Sequence, residues 1–134
     1  MTLVTLARFG TEAAGVPFSV TRFISATVVI LAVPFYLGLK AARGALSGYA
    51  ELALASFLFA FWGEITVAIA TAATGLLGVQ THYLSPEEMT STAMIWRHAG
   101  THLIVGVVFG VYAILVSAVV YKVAKRGAAQ PAAS

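Results

Sequence analysis

The sequence predicts an all-α integral membrane protein with three transmembrane helices. Of its 134 residues, 60% are hydrophobic and only 10% are charged, a balance far from that of a soluble domain. Three apolar segments each reach the roughly 20 residues that a helix needs to cross a bilayer. Lysine and arginine stand mostly beside these segments, as the anchors of membrane helices do. Membrane lipid is therefore the expected surrounding of most of the chain.

The N-terminal segment, residues 1–21, has too little continuous apolar sequence to cross the membrane. The apolar pattern in residues 3–9, LVTLARF, predicts a short interfacial helix that lies along the membrane surface. A cleaved signal peptide fits this region poorly, because the long apolar stretch begins only at residue 23 and Lys40 follows it.

The first predicted span covers residues 22–40. Its apolar part reads FISATVVILAVPFYLGL and lies between Arg22 and Lys40. Pro34 removes one backbone donor inside this helix, so we expect the helix to bend there.

The second predicted span covers residues 49–79 and carries a charged residue near its centre, Glu64. A carboxylate at that depth costs roughly 2.5–3.5 kcal/mol on insertion scales, so it must be protonated, paired or in contact with water. Glu64 is thus a candidate for proton or ion binding, or for a polar contact with another helix. Small residues that share its helix face predict close packing against other helices: Ala60, Ala68, Gly75 and Gly78.

The SPEEM motif predicts a helix start before the third span. Ser85 is the expected N-cap, Pro86 the first helical residue and Glu88 the capping-box partner of the serine. We expect this helix either to continue into the third span or to lie along the interface as a second short helix that turns near Gly100.

The third predicted span covers residues 97–121 and has two histidines near its start. His98 and His102 are four residues apart, so they share a helix face and could hold one ion between them. Gly106 and Gly110 continue this face as a G-x-x-x-G helix contact. The two histidines are therefore expected to point toward other protein.

The histidines allow several kinds of site. As metal ligands, His98 and His102 would take copper or zinc. The third ligand would come from residues at the same membrane level: His82, Glu87 and Glu88. A bis-histidine haem would need His82 or another chain, because two histidines four residues apart cannot reach opposite faces of one haem. As interfacial residues, the pair would bond a neighbouring helix or lipid head groups.

Depth is expected to separate Glu64 from the histidines. At 1.5 Å per residue, Glu64 lies roughly 10 Å deeper in the membrane than His102. A single site built from Glu64, His98 and His102 is therefore not expected.

Composition excludes several classes of site. The chain has no cysteine, which rules out disulfides, iron–sulfur ligation and thiolate zinc sites. Its net charge of +3 comes from helix anchors and forms no basic stripe, so no nucleic-acid partner is expected.

Three hypotheses for function follow. The first is a small accessory or structural subunit of a larger membrane complex that converts energy, transfers electrons or uses a metal, without catalytic activity as an isolated chain. It rests on packing, since three helices have too little interior to shelter Glu64, two histidines and two small-residue faces. The second is a redox subunit that binds metal or haem directly through His98 and His102. The third is an oligomeric proton- or ion-coupled transporter that uses Glu64.

The first hypothesis places the chain in a bacterial inner membrane as a multi-pass protein. The distribution of basic residues predicts its orientation, with the N-terminus outside and the C-terminus in the cytoplasm. Five basic residues lie on the C-terminal side of the membrane and three on the other: Lys40, Arg43, Lys122, Lys125 and Arg126 against Arg8, Arg22 and Arg97. Residues 126–134 are predicted to form a flexible tail.

Overall fold

The computed structural model describes residues 1–129, and in this range the regular structure is entirely helical. Five α-helices follow one another: α1 (Thr2–Ala13), α2 (Phe18–Thr21), α3 (Ala26–Ala42), α4 (Tyr49–Leu77) and α5 (Thr92–Ala129). Three segments are long and apolar enough to cross a membrane: Phe18–Ala42, Tyr49–Leu77 and Thr92–Ala128. The predicted all-α class with three candidate spans is confirmed.

Local signals fix the ends of α3 and α4. The Ser25 side chain accepts a hydrogen bond of 3.4 Å from the backbone N–H of Val28 and caps the start of α3. Gly78 ends α4 in the left-handed conformation, with φ of 65°, which glycine adopts without steric cost. A Cβ at Gly78 would meet no atom within 4 Å. Gly78 is therefore a helix cap, and the prediction that it packs against another helix does not describe its surroundings.

The start of the third span differs in detail from the prediction. Ser85 and Glu88 form the capping box, with 2.9 Å from the Ser85 N–H to the Glu88 carboxylate. However, only one 3-10 turn follows it, Glu88–Thr90. Ser91 is extended and interrupts the helix, with φ of −138°. From Thr92 onward α5 is continuous, so the chain does not turn near Gly100.

The end of α5 lies beyond the predicted end of the third span. Residues 126–129 are helical, whereas the sequence predicted that a flexible tail begins at residue 126. Arg126, Ala128 and Ala129 are good helix formers, which explains why the helix continues through Gly127. The remainder of the predicted tail, residues 130–134, lies outside the described residues.

Helices α4 and α5 are antiparallel and form the most extensive contact in the molecule. Glycines set their separation. A Cβ at Gly75 would lie 2.5 Å from the Ile95 side chain, and one at Gly110 would lie 2.4 Å from the Phe57 ring. Gly106 lies against Phe61, between these two contacts. Two other glycines at close contacts were not identified from the sequence: Gly38, against Ser117 and Val120, and Gly63, against Ile30.

The protein interior is made mostly of small side chains. Ala60 and Ala113 are fully buried and meet Ile30 between the three long helices, and Ala68 is also buried. Many of the large apolar side chains point outward instead, as expected where the solvent is hydrocarbon. Ile104 and Leu115 are more than 60% exposed. The molecule therefore presents an apolar surface for lipid.

Helix α1 confirms the predicted short N-terminal helix, but its contacts differ from those of a helix lying on the membrane surface. The Trp62 indole donates a 3.1 Å hydrogen bond to Thr2, and the Thr5 and Thr66 hydroxyls share one of 3.0 Å. Trp62 and Thr66 flank the centre of α4. Helix α1 thus runs beside the second half of α4, toward the end of the molecule that carries residues 78–91. We call this end the loop end.

Candidate functional site

Three histidine–carboxylate pairs are concentrated in the half of the molecule nearest the loop end. They contain every histidine of the chain and three of its five acidic residues. In each pair a histidine Nδ1 bonds a glutamate, and the Nε2 atom has no hydrogen-bond partner among residues 1–129. The pairs are Glu12 with His82, Glu88 with His98, and Glu64 with His102.

The first pair joins α1 to the loop after α4. The Glu12 carboxylate accepts hydrogen bonds from the His82 Nδ1 at 2.5 Å and from the His82 backbone N–H at 3.0 Å. Its other oxygen accepts from the Thr21 hydroxyl at 2.6 Å and from the Arg8 Nε at 3.1 Å. Burial by itself raises the pKa of Glu12, but these four donors outweigh it and lower the pKa to about 2. Glu12 is therefore an ionised carboxylate at neutral pH.

Arg8 is a buried cation beside this pair. Its residue is 9% exposed, and its guanidinium carbon lies 5.4 Å from the centre of the Phe18 ring and 6.0 Å from that of Tyr83. Only the Nε atom hydrogen-bonds a residue of the described chain. Burial raises the pKa of the Tyr83 phenol to about 12, so that phenol keeps its proton and remains a hydrogen-bond donor.

The second pair lies at the loop end of α5. The His98 Nδ1 is 2.6 Å from the Glu88 carboxylate, and each side chain is about one third exposed. Hydrogen bonds from the backbone N–H and hydroxyl of Ser85, together with the contact to His98, lower the pKa of Glu88 to about 2. This pair therefore has an ionised carboxylate at the loop end of the molecule.

The third pair corrects the expectation that depth separates Glu64 from His102. The His102 Nδ1 lies 2.8 Å from the Glu64 carboxylate, whose side chain is 4% exposed. The sequence estimate counted backbone positions along the membrane normal and ignored the reach of the two side chains. Gly106 also lets the helices approach, since a Cβ there would lie 3.1 Å from the Glu64 Cβ. The central carboxylate of α4 is thus paired within this chain.

One cavity connects the three histidines. It has a volume of about 190 Å³, which is room for several water molecules. The His98 and His102 rings are 5.6 Å apart between centroids and both line it. We call it the Arg8 cavity; its lining consists of Arg8, Ala26, Thr27, Val67, His82, Tyr83, His98 and His102.

The structure brings some predicted site residues together and adds others. His82, His98 and His102 share the Arg8 cavity, and Glu64 lies behind His102. Glu87 makes no side-chain hydrogen bond within the described residues. Arg8 and Glu12 were not identified as site residues. Their spacing of four was the available signal, because two opposite charges on one face of a short apolar helix favour a polar contact.

The predicted metal site has no preformed ligand set. Among residues 1–129, no group of three or more histidine, aspartate or glutamate side chains is arranged to hold a metal ion. The three histidines line one cavity, but each directs its Nδ1 to a different glutamate. The arrangement offers charged and titratable groups around an open volume.

Comparisons with protein-family models, curated proteins and solved structures gave no match.

Proposed function

We propose that this protein is a small membrane subunit that transfers protons between the loop end and the buried carboxylate of Glu64. The observation that carries the proposal is a series of four titratable side chains, Glu88, His98, His102 and Glu64. It begins at a partly exposed pair and ends at a carboxylate near the centre of α4. We call these four residues the His–Glu series.

The distances within the series suit proton transfer. Hydrogen bonds of 2.6 Å and 2.8 Å join the outer and inner pairs. The 5.6 Å between the two histidine rings is too long for direct contact, but both rings line the Arg8 cavity. Water in that cavity can bridge them, since a polar cavity of this size holds ordered water. Ionisable side chains inside a membrane are typical of such proton pathways.

The series reaches only half of the membrane thickness, which favours a subunit over an independent carrier. Beyond Glu64, the interior of the described chain consists of apolar side chains and one fully buried hydroxyl pair, Ser56 and Ser117, 2.9 Å apart. Neither hydroxyl is ionisable near neutral pH. We infer that a proton held at Glu64 either returns to the loop end or passes to a partner subunit. The partner would belong to an energy-converting or electron-transfer complex.

Infrared spectroscopy of the protein in lipid nanodiscs tests the proposal. After a rapid change in pH, the carboxyl band of Glu64, identified by its loss in Glu64→Gln, should change as the group exchanges its proton. Replacing His98 and His102 by asparagine should slow this change roughly a hundredfold, the lower end of what a positioned proton-transfer group contributes.

The control is Glu51→Gln, which removes an exposed glutamate on the same helix. It should leave the Glu64 band and its rate unchanged. Equal rates in the wild-type protein and the double asparagine variant would refute the proposal. Isolation from its native membrane in mild detergent should recover the chain with partner subunits, and recovery as a lone monomer would refute the subunit role.

The alternative redox function uses the same histidines and is tested separately. A subunit that binds copper, zinc or haem through His98 and His102 would retain the metal, or show a Soret band, in the intact native complex. Their absence there would exclude this alternative.

A further inference from the structure

The Arg8 cavity is lined by two side chains with hydrogen-bond donors that the described residues do not use. The guanidinium of Arg8 has five N–H groups, and only the one on Nε bonds a described residue. The hydroxyl of Tyr83 also has no partner among residues 1–129, although the residue is only 7% exposed. Both side chains line the cavity. Because both residues are more than nine-tenths buried while their free donors remain accessible at the cavity, this arrangement points to a ligand that carries acceptor oxygens.

We propose that the Arg8 cavity binds a small monocarboxylate anion, and that the anion enters together with a proton. The planar fork of a guanidinium matches the two oxygens of a carboxylate, and the Tyr83 hydroxyl supplies a further donor. The lining also includes two apolar side chains, Ala26 and Val67, which suit a short alkyl group. A dianion such as phosphate would need more positive charge than one guanidinium provides.

Charge balance explains the proton. While all three histidines are neutral, the single positive charge of Arg8 is set against the ionised carboxylates of Glu12 and Glu88, so the cluster carries one excess negative charge before Glu64 is counted. An added anion is then repelled unless an imidazole takes up a proton. Helix α3 contributes no titratable group to the lining. The charged and titratable groups around the cavity come from every other neighbouring element. They are Arg8 and Glu12 of α1, His82 and Tyr83 of the loop, Glu88 of the 3-10 turn, His98 and His102 of α5, and Glu64 of α4.

The inference rests on the proposed function in one respect, because the proton is taken up by the His98 or His102 pair. It adds a substrate class to that function: a small carboxylate whose binding changes the charge at the start of the proton path. When the anion leaves, the pair releases the same proton. Proton transfer and anion occupancy are therefore coupled through the shared cavity.

Calorimetric titration of the detergent-solubilised protein with sodium acetate tests the inference. Acetate should bind saturably, and titrations in two buffers of different ionisation enthalpy should show net uptake of about one proton per anion. The affinity should fall as the pH rises, by up to about tenfold per pH unit, because each bound anion brings one proton with it. Binding without proton uptake would overturn the inference.

Three substitutions complete the test. Arg8→Lys keeps the charge but loses the fork, and should weaken acetate binding roughly tenfold or more, as expected for lost charge-assisted hydrogen bonds. Tyr83→Phe should weaken it by a smaller factor, since only the hydroxyl is removed. Arg97→Lys alters an exposed arginine of α5 and should have no effect. Equal acetate affinity in Arg8→Lys and the wild type would contradict the inference.

Two further outcomes separate the ligand classes and the two proposals. Saturable binding of zinc chloride that is lost in His98→Asn, with no acetate binding to the folded wild-type protein, would identify the cavity as a metal site and overturn the carboxylate assignment. Acetate binding that persists while Glu64 shows no proton exchange in the infrared experiment would refute the proton path but keep the anion site. Normal proton exchange at Glu64 without acetate binding would refute the anion site but keep the proton path.

Discussion

At the scale of single residues, Gly106 determines whether Glu64 and His102 can meet. An added Cβ at this position would lie 2.9 Å from the Phe61 ring and 3.1 Å from the Glu64 Cβ. The Gly106→Ala substitution should therefore push α4 and α5 apart and destabilise the protein by about 1–3 kcal/mol, the usual cost of overpacking. We expect a lower thermal denaturation temperature in detergent and slower proton exchange at Glu64.

Gly100→Ala is the matched control for this prediction. A Cβ at Gly100 would meet no atom within 4 Å, and alanine is the better helix former by up to about 1 kcal/mol. Gly100→Ala should therefore leave the denaturation temperature unchanged or raise it. Equal destabilisation by both substitutions would show that the contact at Gly106 does not control the Glu64 environment.

The Glu64–His102 contact also shows a limit of sequence reasoning. The sequence identifies both residues as candidates, since a carboxylate in mid-span and inward histidines each need a partner. It does not give the separation or the crossing of the two helices. Those depend on which glycines lie opposite which large side chains, such as Gly110 against Phe57. The two residues could be predicted from the sequence, whereas their contact is visible only in the three-dimensional structure.

At the scale of helices, α1 has its polar side inward. Thr5, Arg8 and Glu12 are all buried, while Leu3 is 81% exposed. From the sequence, the apolar residues of α1 predict a helix on the membrane surface. A helix with such a face can, however, lie either on lipid or beside another helix. The polar face decides between them, because its partners Thr66 and His82 lie far away in the sequence. Single-sequence periodicity does not reveal such distant partners.

The contact between α1 and the loop is expected to weaken in acid. The folded-state pKa of Glu12, about 2, lies below its usual 4.5, so its stabilising contribution is complete above pH 4.5 and is lost as the pH falls toward 2. Burial lowers the pKa of His82 below 6.5, so protonation of His82 as the pH falls also weakens the docking of α1. Helix α1 should therefore be most firmly docked above about pH 6.5.

Distances between spin labels on introduced cysteines measure this docking. No native residue takes up the label, because the chain has no cysteine. Labels at Leu6→Cys and Leu77→Cys, both exposed positions, should give a narrow distance distribution above pH 6.5 that broadens as the pH falls through 4.5. Glu12→Gln should broaden it at neutral pH. Labels at Leu54→Cys and Leu115→Cys on α4 and α5 should give an unchanged distribution, and parallel broadening there would indicate general unfolding instead.

At the scale of the whole molecule, the three spans turn many large apolar side chains outward and bury Glu64 between them. Hydropathy therefore predicts the three spans well, since nearly every surface position within them must suit lipid. The same property conceals the site, because lipid-facing and packed apolar residues look alike in the sequence. The three histidine–glutamate pairs come from α1, α4, α5 and the loop between the last two. Only the fold brings them to one cavity.

The orientation of the whole molecule decides which compartment supplies the protons. The charge distribution predicts that the loop end, with Glu88 and His98, faces outward, because five of the eight basic residues lie on the other side. Two exposed positions report on the two sides of the membrane: Gln80 at the loop end and Ala45 between α3 and α4. Each is replaced by a single cysteine. On intact cells, a membrane-impermeant maleimide should label Gln80→Cys but label Ala45→Cys only after permeabilisation. The opposite pattern would make the cytoplasm the proton source for Glu64, and labelling of both positions on intact cells would contradict the transmembrane arrangement of α4.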